Sequence, residues 1–167
     1  MKKLLFGAMV ALTGALAVSC GNKEVKKELP GKKVETEQLS FIIPEGWQEI
    51  PTGADKYCVK KIRKGEGKRS DMKQLSIDIV EDKGPNPVTD PAERRDRQVK
   101  NMHFESLGDT ILADKQYFIA QKAEAHKTIF YAKMKEGSDQ ILMLVAEYST
   151  DKNDQELLDI IENITIK

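Results

Sequence analysis

Hydrophobic positions along this chain fall into three regimes. Leu4 to Val18 is a 15-residue apolar stretch. Gly21 to Gln38 is about half charged and shows no sustained apolar period. From Leu39 onward, short strand-length segments alternate with two segments of helical period. Period is the main local signal, because side chains alternate across a strand and recur every 3.6 residues on a helix.

Within the third regime, "LSFIIP" opens a strand that Pro44 ends, followed by a glycine turn and Trp47. "KYCVKKIRK" predicts a second strand, closed by "GEGK", whose two glycines suit a tight connection. "QLSIDIVED" alternates, with Leu75, Ile77 and Ile79 on one face and Ser76 and Asp78 on the other, the mark of a half-buried strand. "KGPNPVTDP" holds three prolines in seven residues and reads as a loop.

A helix follows, running to about Phe104. Asp90 is placed to cap it, Pro91 fits its first position, and Glu93 has capping-box spacing. Ala92, Val99 and Met102 form its sparse apolar face. Three further strands are expected in "KQYFIAQKA", "KTIFYAKMK" and "QILMLVAEYS", the last two joined by the turn "EGSD". Residues 140–149 are the most apolar strand, which places them centrally in the sheet. Leu157, Ile160, Ile161 and Ile164 recur at 0, 3, 4 and 7, with Asn153 or Thr150 as cap, and define an amphipathic closing helix. "ITIK" suits a short final strand. The expected order is β-β-β-α-β-β-β-α: an α+β fold with a mainly antiparallel sheet of six to seven strands covered by two helices.

The first regime is different in kind. Lys2 and Lys3 precede the apolar stretch, which ends in small residues, the layout of a secretory signal. It is short for a membrane-spanning helix, which needs about 20 apolar residues. Ala17-Val18-Ser19-Cys20 resembles the lipobox of bacterial lipoproteins. That resemblance implies cleavage before Cys20 and acylation of its thiol and new amino group. Two or more acyl chains anchor a soluble domain stably, whereas one does so marginally. Residues 1–19 are then a signal peptide, and 20–38 a lipidated cysteine with a charged tether. As a flexible coil the tether spans roughly 20–25 Å. Residues 39–167 form a single globular domain. The implied place is the bacterial cell envelope, attached to a membrane through Cys20.

Charge and cysteine count narrow the classes. The mature chain keeps 25 basic and 27 acidic residues, net −2. That balance argues against nucleic acid, whose binding needs a concentrated positive field. With Cys20 lipidated, Cys58 is the one remaining cysteine, so no intrachain disulfide forms. Its strand-like setting favours a small buried hydrophobe over a reactive thiol.

The element order, with Phe41-Ile42-Ile43-Pro44-Glu45-Gly46-Trp47 at the first strand and the closing "IIENITIK", resembles the Mog1/PsbP-like family. The resemblance implies an α/β/α sandwich over nearly the whole mature domain. It implies no catalytic residue, since its members range from photosystem accessory subunits to small-GTPase partners and bacterial lipoproteins. Function is argued from sites, not folds.

Catalytic and cofactor signatures are absent from the sequence. His103 and His126 stand 23 positions apart, with no metal spacing around them. No G-x-S-x-G elbow or phosphate-cradling loop occurs, and acids alternate with lysines and arginines as on a solvated surface. No cofactor is expected.

Two surfaces are candidates for binding. Lys60, Lys61, Arg63, Lys64, Lys68 and Arg69 cluster around one hairpin and could meet anionic headgroups or phosphates. Edge protection by charge is the plainer reading. The proline-rich loop 84–91, beside Arg94, Arg95 and Arg97, could present a recognition surface or simply bridge sheet to helix. Trp47 reads as a lid on the core. The expected function is a lipid-anchored, non-catalytic accessory or binding protein with an envelope partner. A tethered enzyme, or an inhibitor or immunity-type module, is the alternative. Oligomeric state has no signature in the sequence.

Overall fold

The computed structural model describes residues 29–66, 72–148 and 153–167. The strands are β1 (Gly31–Glu35), β2 (Leu39–Pro44), β3 (Trp47–Ile50), β4 (Cys58–Lys64), β5 (Lys73–Glu81), β6 (Glu105–Leu112), β7 (Lys115–Lys122), β8 (Lys127–Lys133), β9 (Gln140–Glu147) and β10 (Thr165–Ile166). Helix α1 (Pro91–Met102) follows β5, and α2 (Gln155–Glu162) follows β9. A seven-stranded sheet has the order β3-β4-β5-β9-β8-β7-β6, and a three-stranded sheet the order β1-β2-β10. Every pairing is antiparallel. The apolar strand β9 takes the middle of the larger sheet, as its composition predicts.

Register sorts the side chains into two layers. Leu75 and Ile77 of β5, Leu142 and Leu144 of β9 and Phe130 of β8 share one face. Leu39, Phe41 and Ile43 of β2 pack on that face together with Leu157, Ile160 and Ile161 of α2 and Ile164 beyond it. On the other face, Ala120, Ile129, Tyr131 and Ile141 meet Phe104, with Val99 of α1 packed against them. Helix α1 lies over β6, β7 and β8. The part of that face built by β4, β5 and β9 therefore lies beside the helix rather than beneath it.

Several expectations need correction. Residues 31–35 were expected in the tether but form β1, pairing with β2 from Gly31↔Pro44 to Glu35↔Ser40. Its side chains are mostly exposed, so an edge strand full of lysine and glutamate carries no apolar period. Gly31 marks its start, because a Cβ there would lie 2.2 Å from the Ile43 carbonyl oxygen. Strand β6 was also unforeseen. It too is an edge, mostly solvated, with a bulge between Ser106 and Asp109 around Gly108 at φ 81°. After the glycine turn, Trp47 opens the short strand β3, which the period does not announce. Strand β5 is buried on both faces, since Ser76 and Asp78 are only 7% and 5% exposed. On this polar side Gln74 donates to Glu147.

The caps are local. Asp90 accepts from Glu93 N at 2.9 Å, as predicted, while α1 ends at Met102 because His103 turns left-handed at φ 55°. Asp154, rather than Asn153, caps α2, and residue 150 lies outside the described residues. The short β10 binds the edge of β2 through Thr165↔Ser40 and Ile166↔Leu39, and Lys167 N donates to the Gln38 carbonyl at 2.9 Å.

Candidate functional site

The basic hairpin is divided by its own strand. Lys61 pairs with Ser76 and Arg63 with Gln74 on one face. Lys60 and Lys64 stand opposite Ile77 and Lys73, on the face that carries α2. Lys60 is paired with Glu49, and Lys64 Nζ lies 2.6 Å from Glu156 Oε1. Lys68 and Arg69 lie outside the described residues, as does Cys20.

Lys64 and Lys73, facing α2, belong to a clamp. Trp47 Nε1 donates to Glu156 Oε1 at 2.9 Å, and Lys73 Nζ reaches Glu156 Oε2 at 3.2 Å and Asp154 Oδ2 at 2.7 Å. Burial works against the Glu156 charge, but the donors Lys64, Trp47 and Lys73 outweigh it and hold the carboxyl below its usual range. Trp47, 7% exposed, thus closes the end of the core while its indole N–H fixes the start of α2.

The proline-rich loop is organised from within. Asp82 accepts from Gly84 N at 3.0 Å and Val88 N at 3.3 Å, which keeps its carboxyl below the ordinary value. Arg94 adds a contact at 3.4 Å, and Arg97 donates to the Asn86 carbonyl. Val88 is buried. These bonds set the direction in which α1 leaves the loop.

Cys58 is half-buried beside Asp78. Its Sγ lies 3.4 Å from the Lys60 carbonyl oxygen. Burial, and then the Asp78 carboxylate, push the thiol up to about 12. A thiol at that value carries almost no thiolate near neutrality and makes a poor nucleophile. Alkylation by iodoacetamide at pH 8 is expected to run at least about a hundredfold slower than for a free thiol. Unfolding in urea should restore the normal rate. Fast alkylation of the folded chain would contradict this account. His103 and His126 both occupy left-handed positions after helical turns. Among the described residues no group of three or more His, Cys, Asp or Glu is placed to hold a metal ion.

The feature that sequence reading missed is a cleft of about 430 Å³ between α1 and the sheet. Ile129 of β8 with Met143 and Val145 of β9 line the sheet side. Met102, at the end of α1, and Phe104 line the helix side. Met102 is 55% exposed although it is a large apolar side chain. The charged lining residues are Arg94, Lys122 and Lys127. No local motif announces this site, because its residues come from α1, β7, β8 and β9. The one available signal was that β8 and β9 are apolar on both faces, more than a sparse helix can cover.

No family model matches the chain, and no curated protein is similar to it at a significant level. Among solved structures it is similar to the solution structure of cyanobacterial PsbP (CyanoP) from Synechocystis sp. PCC 6803. The TM-score is 0.52 at 16% sequence identity, over 92% of this chain and 100% of the other. The fold is PsbP-like, an α+β arrangement with a mainly antiparallel sheet, as the "FIIPEGW" resemblance implied.

Proposed function

We propose that this chain is a lipid-anchored protein of the bacterial cell envelope with a non-catalytic accessory or binding role. The observation that carries the reading is Ala17-Val18-Ser19-Cys20 at the end of the Leu4–Val18 apolar stretch. No helix of the described residues is long and apolar enough to cross a membrane, and acyl chains on Cys20 would supply stable attachment. A binding role draws support from the PsbP-like fold and from the cleft, whose floor is apolar. A hydrolytic or transfer site needs polar groups converging on a reacting atom, and Cys58 is held as an unreactive thiol.

With β1 beginning at Gly31, the tether shortens to residues 20–30. Fully extended, those 11 residues reach roughly 36–40 Å. The domain thus stays close to the bilayer that holds it. Replacing Cys20→Ser is expected to abolish both acyl-chain labelling and recovery in the membrane fraction. Unchanged membrane association of that variant overturns the proposal. Crosslinking and pull-down from intact envelopes then identifies the partner.

A further inference from the structure

We propose that the cleft between α1 and the β8–β9 strip binds a single-chain anionic amphiphile, a fatty carboxylate. Its head would lie at Lys122 and Lys127 and its chain along Ile129, Met143 and Val145. This inference goes beyond the anchoring reading and stands whether or not Cys20 is acylated.

The register supplies the first reason. Lys122 and Lys127 are direct cross-strand partners at the turn end of the β7–β8 hairpin, and both line the cleft. Like charges directly opposite on neighbouring strands destabilise a sheet. A carboxylate received between them turns that repulsion into two charge-assisted hydrogen bonds. Each lysine already has an acid nearby. Lys127 Nζ is 2.8 Å from Glu147, and Lys122 Nζ is 3.6 Å from Glu124, whose side chain is 72% exposed. Neither acid lines the cleft, so its charged lining is wholly cationic.

The second reason is the floor. Behind the two lysines the surface becomes Ile129, Val145 and Met143, with Phe104 and the exposed Met102 on the helix side. Methionine adapts its shape to a flexible guest. At about 430 Å³ the cleft is within the range of small-molecule sites, roughly 300–1,000 Å³. Arg94, tied to Asp82 at 3.4 Å, also lines the cleft and adds a polar group beside its apolar floor. A cationic mouth and an apolar floor fit one charged head and one aliphatic tail. A nucleotide or sugar would leave its polar groups unpaired on that floor.

The test uses the full chain in whichever cell fraction holds it. Diazirine-bearing dodecanoate is photolysed with the protein, and labelled positions are mapped by mass spectrometry. Labelling is expected at residues 102, 129, 143 or 145, competed by excess unlabelled dodecanoate. Lys122→Glu/Lys127→Glu should reduce it at least tenfold, and diazirine-bearing dodecanol should label the native chain at least tenfold less. Both lysines are partly exposed, at 28% and 33% of their side-chain surface, and limited proteolysis confirms that the variant is folded. Met143→Glu, which changes the floor and leaves the lysines intact, should abolish labelling as well. Uncompeted label spread over the surface overturns the proposal. Equal labelling by dodecanol overturns it too, and assigns the cleft to an uncharged apolar partner such as a peptide side chain.

Discussion

Replacing Phe41→Ala is expected to destabilise the protein by about 3–5 kcal/mol, the usual range for deleting a buried phenylalanine ring. Phe41 is 1% exposed and sits on β2, between β1 and β10. Its ring belongs to the cluster that joins the small sheet, the large sheet and α2, so its loss leaves a cavity at the junction of three elements. Ordinary domains have a total stability of about 5–15 kcal/mol, so this one change removes much of the margin. Urea unfolding followed by circular dichroism provides the measurement. Ile111→Ala serves as the control, because Ile111 on edge strand β6 is 71% exposed and should change stability by no more than about 0.5 kcal/mol. A Phe41→Ala cost no larger than the control would mean that the small sheet docks outside the cooperative core.

The second large effect has the opposite sign. Asp78 is 5% exposed, and its Oδ1 has no hydrogen-bond partner. Burial raises its carboxyl above the ordinary aspartate value, with the acid Asp55 adding to the shift and Lys61 and the Cys58 thiol opposing it. A raised carboxyl means that the folded state binds a proton more tightly than the unfolded chain. The penalty is therefore fully present at neutral pH and shrinks as pH falls through the folded value. Asp78→Asn removes the charge and should stabilise the fold by about 1 kcal/mol at pH 7, worth roughly 2–4 °C in Tm. The gap between variant and native chain should narrow as pH is lowered toward the ordinary carboxylate range. A variant less stable than the native chain at pH 7 would show that the charge is needed where it is.

Legibility in the sequence followed burial. Strands with a covered face, such as "LSFIIP" and "QILMLVAEYS", announced themselves because covering one face demands an apolar period. Leu157, Ile160, Ile161 and Ile164 did the same for α2. The missed elements, β1 and β6, are edges, where most side chains are solvated and free to be charged and few, such as Val34, Leu107 and Leu112, pack against the core. The polar side of β5 misled for a related reason. Ser76 and Asp78 look solvated in sequence, yet they are buried, and period reports residue type rather than access. Cleft residues were individually visible but not as a group. Nothing local says that Met102, Lys122, Lys127 and Met143 converge, since the convergence is made by the order β9-β8-β7 and by the angle at which Asp82 launches α1.

The pairing of β10 with β2 has a consequence in time. Strand β2 emerges early in synthesis, but one of its edges stays open until Thr165 and Ile166 exist. The core under Phe41 also lacks its floor until Leu157, Ile160, Ile161 and Ile164 have been made. Domains fold as units, so this chain keeps its cooperative transition until almost all of the domain is present. For most proteins that delay is a hazard, because apolar strands wait uncovered. Under the anchored reading proposed above, in which the chain crosses a membrane before it folds, the same delay keeps the polypeptide loose enough to pass.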